Sequence, residues 1–234
     1  MGHEHRCVAC VPVLSLVLMA ACANPSAPTG ANTLVDVLDY VLGAQELWPR
    51  VGDQSQHQVV DAVERRVTWT KYSLGWMFES WRWDDQWVRH EVDHGIDRRR
   101  WEHYTFSDGR WLPRFLPSSG WSLDVADNRI TWVDRECRPQ PARLFPYRVR
   151  AWIETMFAAG GDIGTRDTLV LEYEPYDPVS GTGGNVERFY FARGAGWFLW
   201  TRADGARVTF NLRGGQARLP TGWCSNGEDA FLPE

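Results

Sequence analysis

Short runs of aromatic and β-branched residues recur along most of this chain, and turn residues separate them every ten or so positions, as in proteins built from many short strands. Such runs predict strands, and their close spacing predicts antiparallel neighbours. The predicted strands are 67–72, 76–83, 87–92, 99–106, 111–115, 129–133, 168–174, 187–191, 197–201 and 207–212. The expected fold class is therefore mainly β, an antiparallel sandwich or an open curved barrel with one or two packed α-helices.

Apolar residues at spacings of three and four predict helices in three places. The first prediction, over 34–42, ends at Gly43, a residue that commonly stops a helix. A second helix is predicted over 54–65. The third, over 149–157, begins after Pro146 and is expected to pack its apolar stripe on the sheet.

The pentapeptide His-Glu-Val-Asp-His at 90–94 matches H-E-x-x-H, the zinc-protease signature. That signature requires a helix, because only a helical turn points both histidines at one metal ion. Here the motif follows two aromatic runs joined by Asp84 and Asp85, which predict a hairpin, and Gly95 comes directly after it. The zinc metalloprotease interpretation is therefore rejected, and no metal or cofactor is expected.

A strand across this motif fixes the directions of its side chains, because successive residues point to opposite faces. His90, Val92 and His94 are expected to share one face, whereas Glu91 and Asp93 are expected to share the other. In that arrangement the glutamate points away from both histidines.

Tryptophan supports a binding hypothesis, since an indole offers a wide apolar face and one N–H donor. The chain has fourteen tryptophans. Those predicted to form a stacking surface on successive strands are Trp81, Trp83, Trp87, Trp101 and Trp111. Arg98 and Arg100 are predicted to add hydrogen bonds or charge for an acidic glycan. The alternative is that the indoles belong to the core, where large aromatic side chains are mostly found.

A catalytic alternative uses carboxylates, because glycoside hydrolysis requires a pair of them. Glu172 and Glu174 share a strand face and could meet Glu187 across a hairpin, with His90 as a further participant. The opposing interpretation makes these carboxylates solvent-facing residues paired with Arg188 or Arg193. On balance the sequence favours a binding protein over a hydrolase or lyase.

The first residues of the chain predict a secretory signal. An apolar run over 8–18, too short to span a bilayer, precedes Met19-Ala20-Ala21-Cys22. Small residues directly before a cysteine resemble the lipobox of bacterial lipoproteins. The resemblance implies a signal peptide over 1–21, a lipid on Cys22, a tether over 22–32 and a single β-rich domain over 33–234. It also implies the membrane as a partner and an envelope location, at the outer membrane or cell surface; plain secretion is the alternative.

The lipobox resemblance also implies which cysteines remain available for a disulfide. With Cys22 lipidated and two others removed with the signal, Cys137 and Cys224 are left of the five in the chain. In an oxidising envelope they are expected to form a disulfide, with two free thiols as the alternative. The formal net charge of -5 argues against a nucleic-acid partner.

The segment 188–200 resembles a tight hairpin of bacterial envelope proteins with curved antiparallel sheets, including lipocalin-like and LolA-like open barrels. This resemblance implies a curved sheet, and it supports a further alternative, a carrier of lipid or another hydrophobic ligand in a half-barrel cavity. The chain is thus expected to be a non-catalytic envelope lipoprotein. A glycan is its favoured ligand, and a lipid or an envelope protein is the alternative.

Overall fold

The protein is built almost entirely from strands. A computed structural model describes residues 33–43, 54–71, 77–97, 100–133 and 138–212. The strands before residue 120 are β1 (Leu34–Asp36), β2 (Gln54–Asp61), β3 (Arg66–Lys71), β4 (Met77–Trp83), β5 (Trp87–Asp97), β6 (Arg100–Phe106), β7 (Arg110–Pro113) and β8 (Phe115–Pro117). Those after it are β9 (Trp121–Val125), β10 (Arg129–Val133), β11 (Pro139–Leu144), β12 (Tyr147–Gly160), β13 (Gly164–Pro175), β14 (Glu187–Ala192), β15 (Gly196–Arg202) and β16 (Arg207–Leu212). The prediction of a mainly β fold is confirmed.

Most of the strands belong to one long sheet, in the order β11-β10-β6-β5-β4-β3-β2-β16-β15-β14-β13-β12-β9, with β7 also paired to β5. Neighbours pair antiparallel, apart from the parallel pair of β16 and β2. Across the described strands, no pairing joins β11 to β9, so the sheet stays open. β1 and β8 form a separate two-stranded sheet.

The long sheet folds back on itself, so that two arms face each other across an aromatic core. The first arm contains β3 to β7, β10 and β11, and the second contains β9 and β12 to β15. Trp81 of the first arm lies 5.4 Å from Phe191 of the second, measured between ring centroids. Trp111 stacks on Tyr173 across the same gap, at 4.6 Å. Burial of these large rings between the arms removes apolar area from water and so stabilises the fold.

The predicted helix over 149–157 is wrong, because this segment lies within the strand β12. Tyr147, Val149 and Ala151 are buried, while the two arginines between them turn outward. This alternation is the pattern of a strand. β12 pairs with β13 along one edge and with β9 along the other, which satisfies its backbone hydrogen bonds from both sides.

The predicted helix over 54–65 is also wrong. Residues 54–61 form β2, which pairs antiparallel with β3. The Asp61 carboxylate accepts hydrogen bonds from the backbone N–H groups of Val63 and Glu64, at 3.0 Å each, and so closes a turn between the two strands. Arg65 completes that turn with a φ of 50°.

The first predicted helix is partly confirmed. Residues 34–36 pair as β1, and only α1 (Leu38–Val41) is helical. Asp36 separates the two elements: its carboxylate accepts a hydrogen bond from the Leu38 N–H and forms an ion pair with Arg114. In the part of the chain that the structure describes, no helix combines the length and apolarity needed to cross a membrane.

Candidate functional site

A cavity of about 320 Å³ opens between the two arms of the sheet. Its apolar and aromatic lining consists of Phe106, Trp111, Ile130, Phe145, Tyr173, Pro175 and Phe189. Its ionisable lining consists of Glu79, His90, Asp93, Arg143 and Glu187. The volume is at the small end of the range of roughly 300–1,000 Å³ found for small-molecule sites.

A bulge in β5 brings its ionisable residues to the cavity. Trp81 pairs with His90 and Ser80 pairs with Val92, so Glu91 is an extra residue in the strand. Beyond the bulge, Asp93 pairs with Glu79 of β4. His90 and Asp93 therefore both line the cavity, although simple alternation predicts opposite faces. The strand prediction for 90–94 is confirmed, whereas the predicted direction of Asp93 is wrong.

The His90 ring is held firmly at the base of this cavity. It is 3% exposed, stacks on Phe106 at 4.5 Å and meets Trp111 edge-on at 4.3 Å. Its Nε2 atom lies 3.1 Å from the Val92 carbonyl oxygen. Because a carbonyl oxygen can only accept, Nε2 is the donor in this hydrogen bond.

The second arm supplies the opposite wall of the cavity. Tyr173 of β13 and Glu187 of β14 are directly paired. The Trp200 indole N–H donates to Glu187 Oε2 at 3.1 Å and orients that carboxylate. Burial raises the pKa of the Tyr173 phenol well above its usual value, and the negative charges of Glu187 and Asp93 raise it further. Tyr173 is therefore a neutral phenol.

The predicted tryptophan surface is wrong for three of its members. Trp81, Trp83 and Trp111 are 0%, 8% and 2% exposed, because β4 and β7 turn them toward the core. Trp87 is half-buried and packs against Trp121, with ring centroids 5.9 Å apart. Trp111 also lines the cavity.

Other predicted residues lie outside the described part of the chain. Arg98 and the side chains of Trp101, Arg100 and His94 belong to this group. So do the lipidation site Cys22 and the predicted disulfide of Cys137 and Cys224. Among the described side chains, no group of three or more histidine, cysteine, aspartate and glutamate residues is placed to hold a metal ion.

The structure separates the predicted carboxylate pair. Glu172 pairs with Arg188 across the hairpin, at 2.9 Å between Oε2 and the guanidinium, and Arg150 adds a second contact at 3.6 Å. The pairing with Arg188 in the opposing interpretation is thus confirmed for Glu172, although the two arginines leave its side chain only 14% exposed. Glu187 lies on the opposite face, where it lines the cavity together with His90.

Sequence reasoning missed three of the ionisable residues in the lining, Glu79, Asp93 and Arg143. Glu79 alternates with Trp81 and Trp83 along β4, and that period of two could have placed it on the inner face. Asp93 could not have been placed, because its direction depends on the bulge. Arg143 lies on β11, a strand that was not predicted.

The fold and the site define a class: an open, curved antiparallel β protein with a ligand-sized cavity that combines aromatic walls and ionisable side chains. Comparisons of the chain with protein-family models, with curated proteins and with solved structures each find no match.

Proposed function

We propose that this protein is a non-catalytic binding protein that holds a small saccharide in the cavity between the two arms. One observation carries the proposal: the same cavity has aromatic walls and several carboxylates. Aromatic faces pack against the apolar face of a sugar ring, and carboxylates accept hydrogen bonds from its hydroxyl groups. This site replaces the predicted exposed tryptophan surface as the place of binding.

The indole N–H of Trp111 supports a hydroxylated ligand. Trp111 lines the cavity, and its buried Nε1 atom has no hydrogen-bond acceptor among the described residues. An unsatisfied buried donor costs about 1–3 kcal/mol, so native proteins contain few of them. A small shift of the ring toward a bound hydroxyl oxygen would satisfy this donor.

The lipid-carrier alternative is less well supported by the same lining. A hydrocarbon chain in this cavity would face Glu79, Asp93 and Glu187 without offering them any hydrogen bond. A hydroxyl group of a sugar can donate a hydrogen bond to a carboxylate oxygen, whereas a hydrocarbon chain has no polar hydrogen to donate.

A fluorescence titration with a panel of oligosaccharides tests the proposal, since Trp111 lies in the cavity wall. We expect at least one saccharide to change the tryptophan emission of the wild-type domain. Glu187→Gln is expected to lower the affinity for that saccharide by roughly tenfold or more, because a hydrogen bond to a charged group contributes about 1.5–3 kcal/mol. Glu172→Gln is the matched control, and it should bind as the wild type does because Glu172 lies on the outer face.

The same titration can overturn the proposal in two ways. If no saccharide changes the emission, or if Glu187→Gln and Glu172→Gln behave alike, the saccharide site is wrong. If new reducing ends appear during incubation and are lost in Glu187→Gln, the hydrolase or lyase alternative replaces the binding protein, with Glu187 and His90 as its candidate residues.

We also propose that the protein is anchored in the cell envelope by a lipid on Cys22, on the strength of the lipobox-like sequence. In a bacterial host fed labelled palmitate, the full chain is expected to incorporate label and to fractionate with membranes. Cys22→Ser should lose the label and leave the membrane fraction. Cys10→Ser, a change within the predicted signal peptide, is the control and should keep both properties; equal labelling of the two variants would exclude the anchor.

A further inference from the structure

We infer that the bound saccharide is N-acetylated and that its acetamido group lies beside Trp111. This inference rests on the proposed saccharide site and specifies the class of ligand. It starts from one polar atom, the indole nitrogen of Trp111. The Trp111 side chain is 2% exposed and lines the cavity, and its N–H has no hydrogen-bond acceptor among the described residues. An indole N–H can only donate, so the ligand atom that satisfies it must carry a lone pair.

The immediate surroundings of Trp111 are aromatic. Its ring stacks on Tyr173 at 4.6 Å and meets His90 edge-on at 4.3 Å, and the Phe189 ring lies 5.4 Å away, all measured between centroids. These neighbours also line the cavity, and we call the four rings its aromatic end. A ligand group placed there gains by burying apolar atoms, whereas each polar hydrogen that it brings loses its water and needs a new acceptor.

An acetamido group meets these conditions better than a hydroxyl group does. Its carbonyl oxygen accepts a hydrogen bond and carries no hydrogen of its own. Its methyl group removes apolar area from water when it packs against an aromatic face. Its amide N–H points away from the carbonyl oxygen, because the amide is planar and trans, and so can lie toward the rest of the cavity. A hydroxyl group also carries lone pairs, but it brings an O–H donor among the rings and has no methyl group to bury.

A neutral acceptor suits the aromatic end better than an ionised one. Burial raises the pKa of the Tyr173 phenol, and the charges of Glu187 and Asp93 raise it further. A carboxylate or sulfate on a ligand beside the stacked rings of Trp111 and Tyr173 would meet the same negative charges and be repelled. The protonated Tyr173 phenol is also a hydrogen-bond donor. A carbonyl oxygen has two lone pairs, one for the Trp111 indole and one for the Tyr173 phenol.

A matched pair of ligands tests the inference. Chitin oligosaccharides carry an acetamido group on each sugar, and cello-oligosaccharides of equal length carry a hydroxyl group at the same position. Calorimetric titration of the wild-type protein measures both affinities. We expect the chitin ligand to bind at least about tenfold more tightly, the combined scale of one hydrogen bond to a buried donor and one buried methyl group.

Trp111→Phe removes the indole N–H and keeps an aromatic ring in the wall. It is expected to lower the affinity for the chitin ligand by about tenfold and the affinity for the cello-oligosaccharide by no more than about threefold, since only the first loses a hydrogen bond to the indole. The preference for the chitin ligand should therefore fall. Trp87→Phe is the matched control, because it makes the same chemical change outside the cavity lining and should keep the wild-type preference.

Nuclear magnetic resonance of the wild-type protein, labelled at its indole nitrogens, gives a readout that needs no variant. One indole N–H proton is expected to move downfield when the chitin ligand is added, because it gains an acceptor, and to stay in place with the cello-oligosaccharide. Trp111→Phe, where it folds, identifies that resonance by its absence. If Trp111→Phe does not fold, the wild-type spectrum decides: a chitin ligand that moves no indole proton downfield overturns the inference.

Failure of this inference and failure of the proposed function give different results. Equal affinities for the two oligosaccharides, or a preference for chitin that Trp111→Phe leaves intact, would overturn the acetamido assignment and leave the saccharide site in place. Binding of some other saccharide, without binding of the chitin ligand, leads to the same conclusion. If no saccharide binds at all, the proposed function is wrong and the assignment falls with it. A preference for chitin that is lost in Trp111→Phe and kept in Trp87→Phe supports both.

Discussion

Trp81→Ala is expected to lower the free energy of unfolding by about 3–5 kcal/mol, the usual cost of truncating a large buried aromatic residue. Trp81 is fully buried, and its ring lies within 5.1–5.4 Å of the Trp69, Trp111 and Phe191 rings. These neighbours come from both arms of the sheet. Truncation therefore leaves an indole-sized cavity where the two arms meet, and the surrounding rings can fill it only partly. Urea unfolding monitored by circular dichroism measures the change.

Trp87→Ala is the matched control for this prediction. Trp87 lies at the start of β5, half-buried against Trp121, with the Arg110 guanidinium 5.5 Å from its ring centroid. Its truncation is expected to cost about 1 kcal/mol, as for most substitutions outside a core. Both tryptophans were candidates for the predicted stacking surface. Equal costs for the two variants would contradict the placement of Trp81 between the arms.

Strand positions could be predicted because hairpins depend on local sequence. The runs 129–133 and 207–212 match β10 and β16 at both ends. The segment 149–157 could not be assigned in this way, since its apolar residues satisfy helical spacing and strand alternation at once. Pairing with β13, which follows β12 after a short turn, and with β9 decides between the two, and the periodicity of the segment itself does not show either pairing.

The candidate site was less predictable than the fold, for a related reason. His90 and Glu187 were both candidates from the sequence, but their meeting depends on the folding of the long sheet onto itself. The role of Asp93 depends on one extra residue in β5, and a bulge of this kind leaves no clear signal in the sequence. The tryptophans did not distinguish core from binding surface in the sequence, because an indole ring can pack in a core or line a binding site.

Gly109→Ala is expected to destabilise the protein by about 4 kcal/mol or more, at the upper end of single substitutions. A β-carbon at Gly109 would lie 1.8 Å from the His90 carbonyl oxygen and 2.8 Å from the carbonyl carbon. Both are backbone atoms, so no side-chain rotation can relieve the clash. The Gly109 carbonyl also accepts the His90 N–H at 2.7 Å, which ties the two segments together. The backbone at His90, which lines the cavity, or the backbone at Gly109 must therefore move.

Gly181→Ala separates this steric effect from a purely conformational one. Gly181 has a φ of +69°, and an added β-carbon there would meet no atom within 4 Å. Its replacement should cost about 1–2 kcal/mol, the penalty for a left-handed backbone at an L-residue. Urea unfolding compares the two variants, and the saccharide titration should show binding in Gly181→Ala and a loss of binding in Gly109→Ala. If Gly109→Ala is as stable as Gly181→Ala, the two segments cannot cross as closely as described. If it stays folded and binds saccharide normally, the position of His90 does not set the shape of the cavity.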